Sequence, residues 1–462
     1  MHDWRLVPAA LVVWLGAFVG VLFHWAFAAV VGAVAVVVAV VWLVRGKDRR
    51  GLHAAWPVLV AGVLAVVPVG ERLRGAANDP LRGLAHERAV LDLRIEVAER
   101  PRPIRSVGYA DQPSGVRTVV IPARVGSSEV VVFAPAERWG RLLPGQRATA
   151  EARLAPADEG GLIVATIYVR GPPSDVDEPG AVQRWAAKFR HGLGDAARAV
   201  LGEEAGGLLP ALVVGDTDGL LPEVRADFDT AGMTHFLAVS GANLAIVGFF
   251  ALFLLRLFGA GPWGASAGAA VAVLGFVALA GPEPSVLRAA VMGLIGLLAL
   301  ALGREKSALP ALAVAVIGLV AVDPGMAVAF GFVLSVLATA GLVLVAPRWA
   351  RALERRRIPP GIAEAVAVPA AAQLVTAPVV AGMSGQVSLV AVAANLVAAP
   401  VVAPATVLGV VAALVAPAWP AAAHVLVAVA GPETEWLITV ADHAAAVPGA
   451  AVDWPKSEAK RS

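Results

Sequence analysis

Long apolar runs separated by short polar loops make up most of the chain, and three of them open the sequence. Residues 6–23 and 25–44 are each close to the ~20 residues that a helix needs to cross ~30 Å of hydrocarbon, and a third run covers 54–69. The pattern predicts a helical hairpin followed by a third membrane span. A cleaved signal peptide is the alternative for the first run, because residues 26–28 (Ala-Phe-Ala) fit a small-x-small cleavage site.

Basic residues set the predicted orientation. The loop between the second and third runs contains Arg45, Lys47, Arg49 and Arg50. Short loops rich in Lys and Arg stay on the cytoplasmic side of a membrane. We therefore expect a cytoplasmic N-terminus and a third span that delivers the following region to the outer face.

The region 71–178 is the only long polar segment of the sequence, and short runs within it alternate apolar and polar positions as β-strands do. Turn-forming residues such as Pro101, Pro103 and those of the 111–115 loop separate the runs. Five short strands predict a small, closed, OB-like β-barrel outside the cytoplasm, with a sandwich-like domain as the alternative. The predicted strands are 90–98, 116–124, 129–133, 146–154 and 162–170.

A helical connector is predicted after this region, over residues 179–230. Trp185, Phe189 and Leu193 fall on one face of its first helix, and Lys188 lies at the edge of that face. Such a helix can lie at the membrane interface, or it can pack on the barrel.

From residue 231 onward the chain returns to apolar runs. Placing the basic loops in the cytoplasm puts Glu283 and Asp323 outside, in agreement with the outer placement of the barrel. After residue 361, prolines interrupt the pattern, so these spans are either broken and re-entrant or continuous with proline kinks. The predicted fold class is a polytopic α-helical membrane protein of about nine to twelve spans, some of them broken or re-entrant, with the barrel inserted. The basic loops lie at Arg256, at 304–306 and at 348–357.

Composition supports a membrane protein and excludes several kinds of chemistry. Of the 462 residues, 58% are hydrophobic and 16% are charged, whereas soluble domains typically carry about 25% charge. The absence of cysteine excludes structural disulfides, Cys-ligated zinc, iron–sulfur clusters and thiol catalysis. The net charge of +2 says little about an acidic partner.

Three polar residues stand out inside an apolar run that extends to Leu255: His235, Ser240 and Asn243. Hydrocarbon offers such groups no water, so each needs a protein partner or a wet cavity, and the cluster is a candidate functional site. His235 and Ser240 are five positions apart, about 500° around a regular helix, and do not share a face. Ser240 also lacks a G-x-S-x-G elbow, which disfavours an intramembrane serine hydrolase centred on it. We expect a helix break at Ser240-Gly241, with Asn243 and His235 hydrogen-bonding across helices.

Arg288 lies four residues beyond Pro284, where a span begins. It can snorkel to the interface, with Glu283 as an outer-face partner, or it can line a polar path. Further polar points in the late spans, each bland alone, together favour a wet interior. They are Gln373, Thr376, Gln386, Ser388 and Asn395.

The barrel region also contains several arginines, a residue suited to bidentate phosphate contacts. Acidic residues nearly balance them, and the aromatics that stack on bases in barrels of this kind are sparse. DNA binding and a plain solvated surface are therefore both open. The candidate DNA-binding residues are Arg94, Arg100, Arg102, Arg105, Arg117 and Arg124.

Several runs of the membrane region, taken together, resemble the competence domain of ComEC-type DNA-uptake proteins in order and spacing. The N-terminal hairpin and the outer OB-like region are similar to that family too. The runs are 207–216, 231–241, 284–292, 323–324 with 329–335, and 385–390 with 395–396.

The resemblance implies an inner-membrane channel that passes single-stranded DNA to the cytoplasm during natural transformation. His235, Ser240, Gly241 and Arg288 fall on family motif positions. The chain departs from the family at Asn243, where members commonly have a second histidine. The predicted pathway residues are His235, Ser240, Gly241, Asn243, Arg288, Gln373 and Asn395.

The expected partners follow from the same resemblance: single-stranded DNA, the lipid bilayer, and a separate DNA receptor, nuclease and cytoplasmic motor. Many family members carry a C-terminal metallo-β-lactamase-like nuclease domain, and this sequence contains no H-x-H-x-D-H motif. We expect no enzymatic activity, no cofactor and no metal, and self-association stays open. A transporter of another polyanionic or lipid-linked substrate on the same scaffold is the alternative.

The sequence thus divides into five predicted segments. They are N-terminal transmembrane helices (1–70), the outer OB-like domain (71–178), the connector (179–230), the competence-type channel domain (231–452) and a polar tail (453–462).

Overall fold

The computed structural model describes residues 3–45, 49–105, 116–157, 161–303 and 308–454. Of the residues that the structure describes, 68% are helical. It packs into two compact units, a barrel-containing unit and a helical unit. The first comprises residues 4–185 with 316–328, and the second comprises 1–3, 186–315 and 329–462.

Apolar helices begin the barrel-containing unit. The helices Trp25–Arg45 and Arg49–Leu64 approach closely because Gly32 and Gly62 face each other: a Cβ on Gly32 would lie 2.6 Å from the Gly62 carbonyl oxygen. Small residues at a helix contact are typical of packing in membranes. Pro68 lies in a π-helical turn, Ala65–Val69, that separates the third helix from the fourth. The helices are α1 Val7–Leu22, α2 Trp25–Arg45, α3 Arg49–Leu64, α4 Gly70–Ala77 and α5 Pro80–His86.

A closed barrel follows, as predicted. The sheet order is β1-β5-β6-β4-β3-β2, and a further pairing of β1 with β3 closes five of the strands into a ring. Around the ring the strands follow the order β1-β3-β4-β6-β5 and return to β1. Counted as the five barrel strands in sequence order this is 1-2-3-5-4-1, and the contact of the third with the fifth, β4 with β6, is parallel. Closure excludes the sandwich alternative, and the five-stranded barrel is OB-like. The strands are β1 Val90–Val97, β2 Arg102–Arg105, β3 Val116–Val125, β4 Ser128–Pro135, β5 Arg147–Pro156 and β6 Ile163–Val169, with a short helix α6 Ala136–Trp139.

The five predicted strands are confirmed, and the structure adds a sixth, β2, where Pro101 and Pro103 predict a turn. Pro103 pairs opposite Val119 in β3. β2 is the last strand of the sheet, so no further strand needs a hydrogen bond from the N–H that proline lacks.

The barrel core comes from the inward positions of these strands. Ile95, Ile121, Leu154 and Ile167 are fully buried. Trp139 of α6 is also fully buried, and its indole N–H donates to the Gly171 carbonyl at 3.0 Å. The barrel therefore has a packed interior, which leaves its outer face and rim for ligands.

The helical unit contains the remaining helices. A short helix, α8, lies at its centre, with every residue from Ala205 to Val214 buried. Gly207 allows contact with the 217–220 loop, because a Cβ there would collide with the Gly219 backbone. The helices are α7 Ala181–Val200, α8 Glu203–Val214, α9 Pro222–Thr230, α10 Gly241–Leu257, α11 Pro262–Ala280, α12 Pro284–Ala301, α13 Ala308–Val322, α14 Phe330–Leu344, α15 Ala346–Arg355, α16 Pro360–Ser384, α17 Ala391–Val415 and α18 Pro420–Ala445, with the strand pair β7 Gln386–Ser388 and β8 Ala451–Asp453. Helices α7 and α13 each contribute residues to both units.

The predicted polytopic fold class is confirmed. Seven helices of the described chain are long and apolar enough to cross a membrane, and three shorter apolar helices accompany them. Pro369 and Pro378 lie within α16 and Pro400 and Pro404 within α17, and both remain continuous helices of 25 residues. Pro417 lies in the turn after α17, and Pro420 is the first residue of α18. The spans are Trp25–Arg45, Ala55–His86, Pro262–Ala280, Pro284–Ala301, Phe330–Arg355, Pro360–Ser384 and Ala391–Val415.

Only part of the predicted apolar face of the connector helix α7 is buried. Leu193 is fully buried in the core of the helical unit, and Phe189 packs against that core. Trp185 is 58% exposed. Arg190 is buried and donates to the Leu279 carbonyl at 2.8 Å, so the second half of α7 is an internal element of the helical unit.

Candidate functional site

The segment 231–240, which carries His235 and Ser240, is not a regular helix. It follows α9 with Gly232 at φ +69° and continues through a single 3-10 turn, Thr234–Phe236. A Cβ on Gly232 would lie 2.6 Å from the Cβ of Ala391. The angular spacing of an α-helix therefore does not apply to His235 and Ser240. Their relative positions follow instead from the hydrogen bonds and contacts that each side chain makes.

Ser240 is the N-cap of α10 and is joined to Asn243. Its Oγ accepts from the Asn243 backbone N–H at 3.3 Å and donates to the Asn243 side-chain oxygen at 3.1 Å. This is the helix break that the sequence predicts at Ser240-Gly241. In the described part of the chain, no histidine hydrogen-bonds the Ser240 hydroxyl, so the geometry supplies no base for a serine nucleophile.

Asn243 links two helices. It is 2% exposed, and its side-chain amide donates to the Leu212 carbonyl at 2.7 Å. Leu212 lies in the last turn of α8, where the carbonyl oxygens accept no hydrogen bond from within the helix. Asn243 therefore satisfies an orphan carbonyl and fixes α10 against α8.

His235 does not make the cross-helix hydrogen bond that we expected. Its side chain is exposed, and its ring lies 4.2 Å from the ring centroid of neighbouring Phe236. Neither ring nitrogen hydrogen-bonds another residue that the structure describes. The expectation failed because the 3-10 turn presents the ring at the surface of the unit.

Arg288, the fifth residue of α12, is buried instead of snorkelling, with 5% of its surface exposed. Its Nε donates to the Ser335 hydroxyl of α14 at 2.8 Å, and Nη1 lies 2.9 Å from the Met292 sulfur. Among the described residues, Glu283 included, no carboxylate oxygen lies within 4.0 Å of the guanidinium. The third nitrogen, Nη2, points to the start of α10, 3.2 Å from where a Cβ on Gly241 would stand.

Asn395 and Gln373 lie apart from this cluster. Asn395 donates to the carbonyls of Ala391 at 2.7 Å and Gly232 at 3.3 Å, which holds α17 against the 231–240 segment. Its Oδ1 and the Ser388 hydroxyl are buried without a hydrogen-bond partner. Gln373 is half-buried on α16 and hydrogen-bonds none of these groups within the described chain.

The structure thus brings together Ser240, Gly241, Asn243 and Arg288 around the start of α10. Sequence reasoning missed Ser335 and the Leu212 carbonyl as partners. Ser335 lies in the 329–335 run, but only the packing of α12 on α14 reveals its role. No three His, Cys, Asp or Glu side chains lie close enough to hold a metal ion within the described ranges.

A second set of polar groups lies on the outer face of the barrel. Arg153, Tyr168 and Phe133 are direct cross-strand neighbours on β5, β6 and β4. The Tyr168 and Phe133 rings are stacked, with centroids 5.3 Å apart and planes at 18°. The row continues through Val120 of β3 to Arg102 of β2. We call this row of residues the stacking face.

An open groove of about 1180 Å³ borders the stacking face. Arg88, Arg153 and Arg170 line it, together with Glu151 and the stacked rings. The three arginines are exposed, and none of them makes an ion pair with another described residue. Sequence reasoning did not select them, because the strand order that gathers them is not visible in the sequence.

Most of the predicted DNA-binding arginines have other partners. Arg94 bonds both carboxylate oxygens of Asp177 at 2.8 and 3.0 Å, and Arg102 pairs with Glu99 at 2.8 Å. Arg124 is exposed and faces Glu129 across the strand pair. Arg100 also has an interaction partner. The side chains of Arg105 and Arg117 lie outside the described residues.

Comparison with known proteins assigns the helical region. A family model described as "Competence protein" matches residues 212–460, more than half of the 462-residue chain. The match begins at Leu212, the acceptor of the Asn243 amide, and its domain is of the transport type, not a catalytic one. Neither the comparison with curated proteins nor that with solved structures gives a match.

Proposed function

The chain belongs to the competence protein family, and on that premise we propose that it is an inner-membrane channel for single-stranded DNA. The observation that carries the proposal is the joining, in one chain, of a competence-type membrane domain and an OB-like barrel with a stacking face. Membrane spans supply a route through hydrocarbon, and the barrel supplies a surface suited to an unpaired strand.

The stacking face has the chemistry of single-strand recognition. Bases stack on aromatic rings whatever their sequence, and each stacked base contributes about 1–3 kcal/mol. Phe133 and Tyr168 offer such rings, and Arg88, Arg153 and Arg170 surround them with charge for phosphates. β3 and β4 are the second and third strands of the barrel. In OB-folds, the face formed by these two strands binds oligonucleotides.

The proposed orientation has the N-terminus in the cytoplasm and the barrel on the outer face. The basic 45–50 loop supports it, because short Lys- and Arg-rich loops remain inside. In this arrangement the barrel receives the strand first. The proposed segments keep their limits: the barrel at 71–178 and the channel domain at 231–452.

The proposed pathway is centred on the start of α10. Asn243 bonds the end of α8 and is itself bonded by Ser240, which fixes the start of α10 beside the non-helical segment 231–240. Arg288 and Gly241 border that segment, and His235, Asn395 and Gln373 are further candidates along the route. The channel performs no chemistry in this proposal, so separate proteins provide the DNA receptor, the nuclease and the driving force.

An uptake assay in the native host tests the function. Labelled double-stranded DNA is offered to wild-type, deletion and complemented strains, and nuclease-protected internal label is measured. We expect the deletion to abolish internalisation while surface binding of DNA persists, since a separate receptor captures the DNA. Normal internalisation in the deletion would reject the conduit and favour transport of another polyanionic or lipid-linked substrate.

A further inference from the structure

Helix α15 follows directly on the apolar helix α14 and is strongly basic. Residues 348–357 contain five arginines and one acidic residue, Glu354. Both α14 and α15 pack on α16, so α15 continues along the same neighbour as α14. Together the two helices form one candidate membrane span, Phe330–Arg355. The basic helix is therefore the end of a span.

The length of this span places Trp349 at the edge of the hydrocarbon. A helix needs ~20 residues to cross ~30 Å of hydrocarbon, and that length, counted from Phe330, ends at Trp349. The Trp349 side chain is 37% exposed. Tryptophan is enriched at the level of the lipid headgroups, where its ring meets both the apolar and the polar layer. Residues 350–355 therefore lie at headgroup level.

Three arginines of α15 form a stripe along the helix. Arg348, Arg351 and Arg355 follow the spacing i, i+3 and i+7, which places them on one side of an α-helix. The buried residues of α15, Ala346 and Ala350, lie on the opposite side. The stripe therefore faces away from the packed side of the helix. We call these three residues the arginine stripe.

The arginine stripe has no counter-charge in the part of the chain that the structure describes. All three side chains are exposed, and no carboxylate oxygen of a described residue lies within 4.0 Å of their nitrogens. Arg348 Nη1 donates to the Leu344 carbonyl, which is a neutral acceptor. Guanidinium groups bind phosphodiester oxygens in pairs of charged hydrogen bonds. At headgroup level the stripe is thus complementary in charge to anionic phospholipids.

We propose that the arginine stripe is a binding surface for the headgroups of anionic phospholipids. Trp349 lies about 100° around the helix from Arg348, so the stripe offers contacts to phosphates but no ring for a base to stack on. This arrangement suits a lipid headgroup better than a DNA strand. Basic segments beside a membrane helix are attracted to anionic lipids in this way. The surface is independent of what the protein transports, and only its assignment to the cytoplasmic leaflet rests on the proposed orientation.

Energy transfer from a probe beside the stripe tests the proposal. The chain contains no cysteine, so Ala352→Cys, at an exposed position of α15, gives a single labelling site. The labelled full chain is reconstituted in vesicles of equal parts phosphatidylcholine and phosphatidylglycerol. Transfer is then measured to a trace of either lipid that carries an acceptor on its acyl chain. We expect phosphatidylglycerol to be enriched around the probe about fivefold or more, the preference of one basic residue for an anionic surface. Added salt should reduce the enrichment, because it screens exposed charges.

Replacing the stripe shows whether its charge is the cause. The triple variant Arg348→Gln, Arg351→Gln, Arg355→Gln should lose most of the enrichment, whereas lysine at the same three positions should keep most of it. The changed residues are exposed, so the variants should fold. A double variant, Arg138→Gln with Arg141→Gln, removes two exposed arginines outside the candidate spans and should respond as the wild type does. Equal transfer to both lipids in the wild type, or an unchanged preference in the glutamine triple variant, would overturn the lipid surface.

A competition experiment separates lipid from DNA. Oligo-dT is added to the labelled chain in mixed micelles of detergent and the two lipids, where both ends of the protein are accessible. We expect the phosphatidylglycerol preference to persist. If oligo-dT abolishes the preference and binds the glutamine triple variant more weakly than the wild type, the stripe is a DNA surface and the proposal is wrong. The uptake assay is independent, because normal uptake in the deletion strain rejects the channel function and leaves a measured lipid preference intact.

Discussion

The barrel and the helical unit present their arginines in opposite ways. On the barrel, Arg94 and Arg102 are exposed and paired with carboxylates at 2.8 Å. In the helical unit, Arg288 is buried and has only neutral partners in the described chain. Exposed ion pairs contribute about 0–1 kcal/mol each, so the loss of one such pair on the barrel costs little stability. Ligand binding on the barrel is therefore the sum of weak contacts, whereas the buried network around Arg288 and Asn243 depends on single side chains.

Breaking the buried network should have the largest effect. Asn243→Leu leaves the Leu212 carbonyl buried without a donor and removes the link between α8 and α10. We expect a loss of about 1–3 kcal/mol in the free energy of unfolding. Denaturant unfolding of the purified protein measures it. Thr439→Val, which removes an exposed hydroxyl bonded within its own helix, is the control and should change stability by less than about 0.5 kcal/mol. Equal small effects of both variants would show that Asn243 does not hold the two helices.

The stacking face should respond more moderately, and in binding instead of stability. Tyr168→Ala removes one of the two stacked rings, and we expect the affinity of the full chain for oligo-dT to fall by about 1–2 kcal/mol, roughly tenfold. Tyr168→Phe keeps the ring and should bind nearly as the wild type. Fluorescence anisotropy with labelled oligo-dT measures both. If the alanine variant binds as tightly as the phenylalanine variant, the bases do not stack here.

Free and paired arginines of the barrel should differ in the salt dependence of binding. Arg153 has no ion-pair partner among the described residues and lines the groove, whereas Arg94 is held by Asp177 outside it. Arg153→Ala should reduce the slope of log affinity against log salt by about one, the value for one lost phosphate contact. Arg94→Ala should leave the slope nearly unchanged. If Arg94→Ala reduced the slope and Arg153→Ala did not, the DNA would bind on the Arg94 side of the barrel, at the arginines predicted from the sequence.

The same comparison explains how far the sequence could predict the fold. The five barrel strands were predictable, because alternation of apolar and polar residues, as in Val90–Val97, or a run of β-branched residues, as in Ser128–Pro135, indicates a strand. The β2 strand was not, since prolines at 101 and 103 favour a turn unless the strand is known to lie at a sheet edge. Membrane helices were predictable from apolar length alone.

The candidate site was only partly predictable, for physical reasons. Ser240, Asn243 and Arg288 are polar groups in an apolar background and could be selected from the sequence. Their partners could not, because the Arg288–Ser335 contact spans 47 residues and depends on helix packing. The stacking face likewise depends on the parallel contact of β4 with β6, which brings Phe133 beside Tyr168. His235 was misplaced because the chain makes a 3-10 turn there, to which the period of an α-helix does not apply.

The smallest expected effect is a pH dependence on the barrel. Burial raises the pKa of Glu129 above its usual 4.5, and nearby Asp323 raises it further, against the opposing charges of Arg124 and Arg72. The folded state then binds the proton more tightly than the unfolded chain, so the ionised carboxylate destabilises the fold at neutral pH. As pH falls through the raised pKa towards 4.5, this penalty disappears and the free energy of unfolding rises. Glu129→Gln should therefore be more stable than the wild type at pH 7, and the difference should vanish on acidification. Asp323→Asn, which keeps an acceptor for the Gly325 amide, should reduce the pH dependence without removing it. Unfolding midpoints between pH 4.5 and 7.5 measure the difference, and a Glu129→Gln effect that is the same at every pH would show that burial of the charge is not its cause.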